Sequence, residues 1–194
     1  MIQAELLLVR HGQTDWNIAY RYQGQIKPGP SLNSKGRAQA VAVARKLAGV
    51  PAQALYTSDL ARALETAQII GRFLGLPVRM DPRLRETNMG SWQGRLYEEV
   101  RAELGEAHAR FYEDPVSNPI VGAESIVQMA ERVSASLYDI AVSYPGGTVI
   151  VVTHGLPMAA VRCMVTGQPL RDVWRILPDN AEVMRVLWPP DGRQ

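Results

Sequence analysis

Short apolar runs bounded by turn residues alternate along this chain with segments whose apolar positions recur at helical spacing. Strands are expected at 4–9, 53–58, 76–80, 148–153 and 181–188, and helices at 34–48, 59–74, 95–104, 106–113, 124–143 and 157–166. The alternation of the two patterns predicts an α/β domain of three layers, in which helices flank a mostly parallel central sheet.

The chain length favours one domain over residues 1–194, because domains typically run from about 50 to 250 residues. Residues 81–122 are less regular and contain several glycines and prolines. We expect this segment to form an insertion that covers the active site.

Charge and composition exclude several classes of protein. A net charge of +2, from 21 basic and 19 acidic residues, argues against a nucleic-acid binder. The sequence contains no run of about 20 apolar residues, so no membrane helix is expected. The single cysteine, Cys163, excludes an intrachain disulfide and is typical of a reducing, cytoplasmic protein. The sequence does not determine the oligomeric state and is compatible with a homodimer.

Three predicted strands end in residues that can carry chemistry. These are Arg10-His11-Gly12 after the first strand, Ser58 and the helix bearing Arg62 after the second, and His154-Gly155 after 148–153. Parallel sheets bind their ligands at the carboxyl ends of strands. We therefore expect these segments to converge at one edge of the sheet, although they are far apart in sequence.

The residue types at this edge suit attack on a phosphomonoester. Arginine pairs with phosphate oxygens through its planar fork, and a neutral imidazole can attack phosphorus. A carboxylic acid can protonate the departing oxygen, and Glu86 follows the third strand in the sequence LRETNMG.

Six motifs, in order, resemble those of the histidine phosphatase superfamily, also called the phosphoglycerate mutase-like superfamily. They are RHGQTDWN at 10–17, RYQG at 21–24, SDLARALETA at 58–67, LRETNMGSWQG at 84–94, GAES at 122–125 and VVTHG at 151–155. The resemblance covers nearly the whole chain, and so many motifs in the same order are specific.

The resemblance implies a metal-independent phosphatase without a cofactor, acting on a small-molecule phosphomonoester. His11 would be the nucleophile that becomes phosphorylated, and Glu86 would be the proton donor and then the base for the hydrolytic water. The phosphate pocket would consist of Arg10, Arg62 and His154. Further phosphate or substrate contacts would come from Asn17, Gln23, Gly24 and Gly155.

The sequence departs from the family pattern outside these core residues. Gly29-Pro30-Ser31-Leu32-Asn33 stands where many members have D-x-P-L-T, Ala123 where a second glycine is frequent, and Gln93 where glutamate is frequent. The missing aspartate lies near the expected pocket mouth, which weakens inference about the substrate.

Several residues have a plainer structural interpretation. Ser58 is expected to cap the 59–74 helix, His108 to be a solvated helix residue, and Cys163 to lie in the core. The rival carboxylates Glu65, Glu98 and Glu99 are expected on solvated helix faces. Trp16, Trp92 and Trp174 either line the pocket or only pack.

Other phosphatase chemistries fail on spacing. A cysteine phosphatase needs C-x5-R, but Pro169 stands six residues beyond Cys163, and the D-x-D and P-loop motifs are absent. The alternative is a cofactor-dependent phosphoglycerate mutase, whose motif E-R-H-Y-G-x-L-x-G-L-N-K and following arginine pair hold a carboxylate. That lysine and that arginine pair are missing here. A non-catalytic binding module is disfavoured because no core residue is lost.

Overall fold

A five-stranded sheet forms the middle layer of the computed structural model, which describes residues 3–190. The strands are β1 (Ala4–Arg10), β2 (Ala52–Thr57), β3 (Val78–Met80), β4 (Thr148–Thr153) and β5 (Val183–Trp188). Their order is β3-β2-β4-β1-β5; the first four are parallel, and β5 runs antiparallel to β1. The predicted α/β fold with a mostly parallel sheet is confirmed.

Seven α-helices connect and flank the strands within the described residues. They are α1 (Asp15–Ile18), α2 (Ser34–Lys46), α3 (Ala61–Leu74), α4 (Tyr97–Leu104), α5 (Glu106–Glu113), α6 (Ile126–Ser143) and α7 (Gly155–Thr166). The six longer helices match predicted ones to within about two residues. Helix α1 and the 3-10 helices Pro82–Leu84, Gly90–Trp92 and Leu170–Ile176 were not predicted, because short turns leave little periodicity.

Residues 6–9 of β1 and 149–152 of β4 are all apolar because both faces of the sheet are covered. In β1, Leu6 and Leu8 pack into the core under α6 and α7, whereas Leu7 and Val9 pack into the core under α2 and α3. Cys163 lies in the first of these cores, as predicted. In the part of the chain from 3 to 190, no helix is long and apolar enough to cross a bilayer.

The carboxyl ends of three strands meet at one edge of the sheet. Arg10, at the end of β1, pairs in register with Thr153 at the end of β4. Thr57, at the end of β2, pairs with Val152 on the other side of β4. His11, Ser58 and His154 therefore emerge side by side, as the sequence predicted.

His108 is wrongly predicted as a solvated residue. It is only 9% exposed, its Nε2 lies 3.0 Å from the hydroxyl of Tyr22, and its ring stacks on Trp92 at 5.4 Å. Phe111 and Tyr112, three and four residues further along α5, share the same buried face. This i, i+3, i+4 spacing is the signal that could have indicated a buried histidine.

Replacement of His108 by alanine should destabilise the fold by about 1–3 kcal/mol, because it removes the stacking on Trp92 and one of the two hydrogen bonds of the buried Tyr22 hydroxyl, which keeps its contact with Tyr112. Chemical denaturation measures the change, with Glu106→Ala on the exposed face of α5 as control. A loss as small as the control's, within about 0.5 kcal/mol, would contradict this account of the aromatic cluster.

Candidate active site

His11 lies at the end of β1 with its Nε2 available for attack. Its Nδ1 is 2.8 Å from the carbonyl oxygen of Gly12, and because a carbonyl only accepts, Nδ1 carries the hydrogen. Nε2 then has a lone pair, which accepts from Arg62 Nε at 3.3 Å. Burial, followed by the charges of Arg62 and Arg10, lowers the pKa of His11 well below its ordinary value. The imidazole is therefore neutral.

Two guanidinium groups, of which that of Arg62 is buried and that of Arg10 partly buried, adjoin this histidine. Arg62 is 1% exposed and donates from Nη2 to the carbonyl of Gly24 at 2.9 Å, while Arg10 donates from Nη1 to the carbonyl of Pro178. Arg62 Nη1 and Arg10 Nε are buried and have no partner within residues 3–190. Burial lowers the pKa of Arg62 to about 10, with Glu86 acting in the opposite sense. Both groups remain cationic at neutral pH.

His154 faces His11, with ring centroids 5.2 Å apart. Its Nε2 is 2.8 Å from the hydroxyl of Ser58, whereas its buried Nδ1 has no partner among the described residues. Burial, then the charges of Arg62 and the other neighbouring groups, lowers the pKa of His154 well below its ordinary value. When Ser58 donates to Nε2, Nδ1 carries a hydrogen that can be donated to a ligand.

Ser58 therefore differs from its predicted role as a helix cap. Helix α3 begins at Ala61, and its N-cap residue Leu60 forms no side-chain cap. The Ser58 hydroxyl does accept from the backbone N–H of Leu60 at 3.3 Å, but its shorter contact orients His154. The contact joins residues 96 positions apart, so no local pattern indicates it.

Glu86 lines the cleft near the start of α7. Its Oε1 accepts from the backbone N–H of Thr87 at 2.9 Å, and its Oε2 lies 3.5 Å from the backbone nitrogen of Leu156. Its charge acts on the pKa values of both Arg10 and Arg62. The carboxyl group and the two guanidinium groups therefore share one electrostatic environment.

Arg10, His11, Arg62 and Glu86 line the cleft, whereas His154 is fully buried and is not among the lining residues. The remaining predicted residues also line the cleft. They are Asn17, Gln23, Gly24 and Gly155. The amide oxygen of Asn17 is held by the backbone N–H and hydroxyl of Thr14, so its amide nitrogen is the group available to a ligand. A Cβ on Gly155 would lie 3.5 Å from the Arg10 guanidinium carbon and 3.3 Å from Leu177, which explains the small residue there.

Further cleft residues were not predicted. They are Arg21, Tyr22, Met89, Tyr97, Leu156 and Leu177. Counting from Glu86, Tyr97 occupies the position of the lysine in the mutase motif. Trp174 both lines the cleft and packs against Tyr112, whereas Trp92 is buried in the core and Trp16 lies under Arg21.

The rival carboxylates do not reach the cleft. Glu98 and Glu99 are exposed on α4, as predicted. Glu65 is not on a solvated face: its carboxylate accepts from the backbone N–H of Leu32 and from Arg37. Between residues 3 and 190, no group of three or more His, Cys, Asp or Glu side chains could hold a metal ion.

The lowered pKa of His11 gives a direct prediction. In the free protein its ring protons should show no titration through pH 6.5 and should titrate only at more acidic pH, because burial and then the charges of Arg62 and Arg10 oppose protonation and lower the pKa. NMR of the imidazole resonances measures this, with His11→Gln used to assign the signal. A midpoint at or above 6.5 would contradict the neutral ground state.

The chain was compared with known proteins, and the family model described as histidine phosphatase superfamily (branch 1) matches residues 6–194. A metal-independent phosphoserine phosphatase of Arabidopsis thaliana is 40% identical over 165 residues, covering 84% of this chain and 68% of that protein. Phosphoglycerate mutase-like protein 4 of Arabidopsis thaliana is 39% identical over 189 residues, covering 95% and 80%.

Solved structures give the same result. The mycobacterial glucosyl-3-phosphoglycerate phosphatase, in complex with VO3, superposes with a TM-score of 0.84 at 35% identity, covering 93% of this chain and 90% of that one. Fold, motif order and extent of similarity agree with the resemblance found in the sequence. The chain belongs to the histidine phosphatase superfamily.

Proposed function

We propose that this protein is a phosphomonoesterase that transfers the phosphoryl group first to Nε2 of His11 and then to water. One observation carries the proposal: three buried nitrogen atoms near the neutral His11, Arg10 Nε, Arg62 Nη1 and His154 Nδ1, have no partner among the described residues, and each can donate when the Ser58 hydroxyl is the donor in its contact with His154. Buried donors without partners are costly, and a phosphate dianion supplies acceptors for all three. Phosphatases are among the relatives of the chain.

In the first step, the lone pair of His11 Nε2 forms a bond to phosphorus and the ester P–O bond breaks. The protonated carboxyl group of Glu86 gives its proton to the departing oxygen. Arg10, Arg62 and His154 hold the equatorial phosphate oxygens, with Asn17 and Gln23 as further contacts. The hydrogen on His11 Nδ1 stays bound to the Gly12 carbonyl, so that the new phosphohistidine keeps its orientation.

In the second step, the Glu86 carboxylate takes a proton from water as the water oxygen attacks phosphorus. The P–N bond breaks and its electron pair returns to Nε2, which leaves neutral His11 and inorganic phosphate. Both steps rely on positioning and on fixed positive charge, which carry most of the acceleration in phosphoryl transfer. The residues named supply those charges, which supports catalysis without a metal or cofactor.

Small alkyl phosphate esters are the substrate class that we propose. Proton donation by Glu86 is needed for alkoxide leaving groups, and Arg21 adds a cation to the cleft wall.

The alternative function of a phosphoglycerate mutase requires transfer to a second hydroxyl group rather than to water. Tyr97, at the position of the mutase lysine, has no positive charge for a carboxylate. The cytoplasmic location, the homodimer and the covering role of segment 81–122 stay predictions.

The purified protein should release inorganic phosphate from alkyl phosphates such as phosphoserine at a rate that prolonged EDTA treatment leaves unchanged. With 3-phosphoglycerate, hydrolysis should exceed isomerisation to 2-phosphoglycerate. Phosphate release and product analysis by ³¹P NMR measure both. Isomerisation faster than hydrolysis would favour the mutase, and loss of activity in EDTA restored by zinc or magnesium would refute metal independence.

The role of Glu86 predicts a dependence on the leaving group. Glu86→Gln should slow phosphorylation of His11 by an alkyl ester about 10²- to 10⁴-fold, whereas phosphorylation by p-nitrophenyl phosphate should fall much less, since nitrophenolate scarcely needs a proton. Single-turnover kinetics isolate this step from dephosphorylation. Glu98→Gln serves as a control on the exposed face of α4. Equal losses with both esters would show that Glu86 is not the acid.

A further inference from the structure

We propose that Arg132 and Glu124 are positioning residues that aim the Glu86 carboxyl group at the leaving oxygen. This inference rests on the proposed role of Glu86. Neither residue lines the cleft. Glu124 immediately precedes the cap of α6, and Arg132 lies eight residues further on, within α6; their side chains are 16% and 21% exposed.

Every N–H group of the Arg132 guanidinium has an acceptor at or beside the loop that carries Glu86. Nη1 donates to the carbonyl oxygens of Arg83 and Arg85, each at 2.7 Å. Nη2 donates to the carbonyl of Glu86 at 2.9 Å and to Glu124 Oε2 at 2.8 Å, and Nε donates to Glu124 Oε1 at 2.5 Å. A guanidinium has five N–H donors, and all five are used.

Glu124 extends this clamp to the other side of Glu86. Its Oε2 accepts from the backbone N–H of Asn88 at 3.0 Å, and its own backbone N–H donates to the carbonyl of Asn88 at 2.9 Å. Gly90, with φ of +52°, packs against Ala123, next to Glu124: a Cβ added to Gly90 would lie 3.1 Å from the Cβ of Ala123. The backbone is therefore fixed both before and after the catalytic carboxyl group.

The side chain of Glu86 is itself lightly held. Its carboxylate has one short contact, with the adjacent N–H of Thr87, and one long contact of 3.5 Å to Leu156. Its direction thus depends mainly on the backbone, whose carbonyl is bound by Arg132 and also by Gln25 at 2.8 Å. A shift of the backbone would displace the carboxyl group without removing it.

The clamp requires both the fork of arginine and the charge of glutamate. Lysine has three donors on one nitrogen and cannot bridge three carbonyls and a carboxylate. Arg132→Lys therefore keeps the charge near His154 but loses the clamp. Glu124→Gln keeps the shape and removes the charge that holds Arg132 in place.

Kinetics distinguish two roles for Arg132 and Glu124: the pair stabilises only the fold, or it positions the Glu86 carboxyl group. Loss of a structural pair would lower the amount of folded protein and affect all substrates alike. Loss of a positioning pair should act only where protonation of the leaving group matters. We expect both variants to slow His11 phosphorylation by an alkyl ester about 10- to 100-fold more than phosphorylation by p-nitrophenyl phosphate.

The experiment measures single-turnover phosphorylation with both esters for wild type, Arg132→Lys, Glu124→Gln, Glu86→Gln and the double variant Glu86→Gln/Arg132→Lys. Arg37→Lys is the control, since Arg37 also pairs with a glutamate, Glu65, but this pair joins α2 to α3 rather than to the loop that carries Glu86. Thermal melting of each variant separates folding from rate. If Arg132→Lys does not fold, Glu124→Gln carries the test.

The ratio of the two rates decides the outcome. The inference predicts a changed ratio in Arg132→Lys and in Glu124→Gln and an unchanged ratio in Arg37→Lys. The ratio in the double variant should equal that in Glu86→Gln. A changed ratio in Glu86→Gln with an unchanged ratio in both Arg132→Lys and Glu124→Gln would overturn the inference alone. An unchanged ratio in Glu86→Gln would overturn the proposed acid, and the inference with it.

Discussion

Arg62, which is buried, and Arg10, which is partly buried, lie beside His11 without an ion pair to any carboxylate in the described part of the chain. Buried charge of this kind is costly, and hydrogen bonds to the carbonyls of Gly24 and Pro178 offset only part of the cost. Burial and this positive charge together keep His11 neutral, and Arg10 Nε and Arg62 Nη1 have no partner among the described residues. In the proposed mechanism, the positive charge of Arg10 and Arg62 therefore has two effects: it favours a neutral His11 Nε2 and it binds a phosphate dianion.

Close contacts at the strand ends hold Arg62 beside His11. Gly12 lies so near the start of α2 that an added Cβ would be 2.4 Å from the carbonyl oxygen of Gly36. Its backbone N–H donates to Thr66, whose hydroxyl in turn donates to the carbonyl of Arg62. Hydrogen bonds thus join the loop after β1 to helix α3, and they fix the position of Arg62 relative to His11. Glu86 reaches the same cleft from a separate loop that requires its own support.

The sequence predicts the parts of this arrangement that depend on local pattern. Continuous apolar runs such as 148–153 indicate strands buried on both faces, and the sheet rule then brings Arg10, His11 and His154 together. The parts it misses depend on contacts between distant segments. Ser58 was expected to cap a helix, but it holds His154, 96 residues away. His108 was expected in solvent, but Tyr22 approaches it from 86 residues away. Motif resemblance identified residues 122–125, yet only the structure shows which carbonyls Arg132 binds.

Direct detection of the phosphoenzyme tests the central claim. Wild-type protein mixed with excess substrate and quenched within milliseconds at alkaline pH, where phosphohistidine survives, should contain one phosphoryl group per chain. Peptide mapping should place it on His11, and ³¹P NMR should place it on Nε2. The group should form at least as fast as steady-state turnover and should be absent from His11→Ala. A phosphoryl group on any other residue, or turnover by direct attack of water with inversion at phosphorus, would contradict the account.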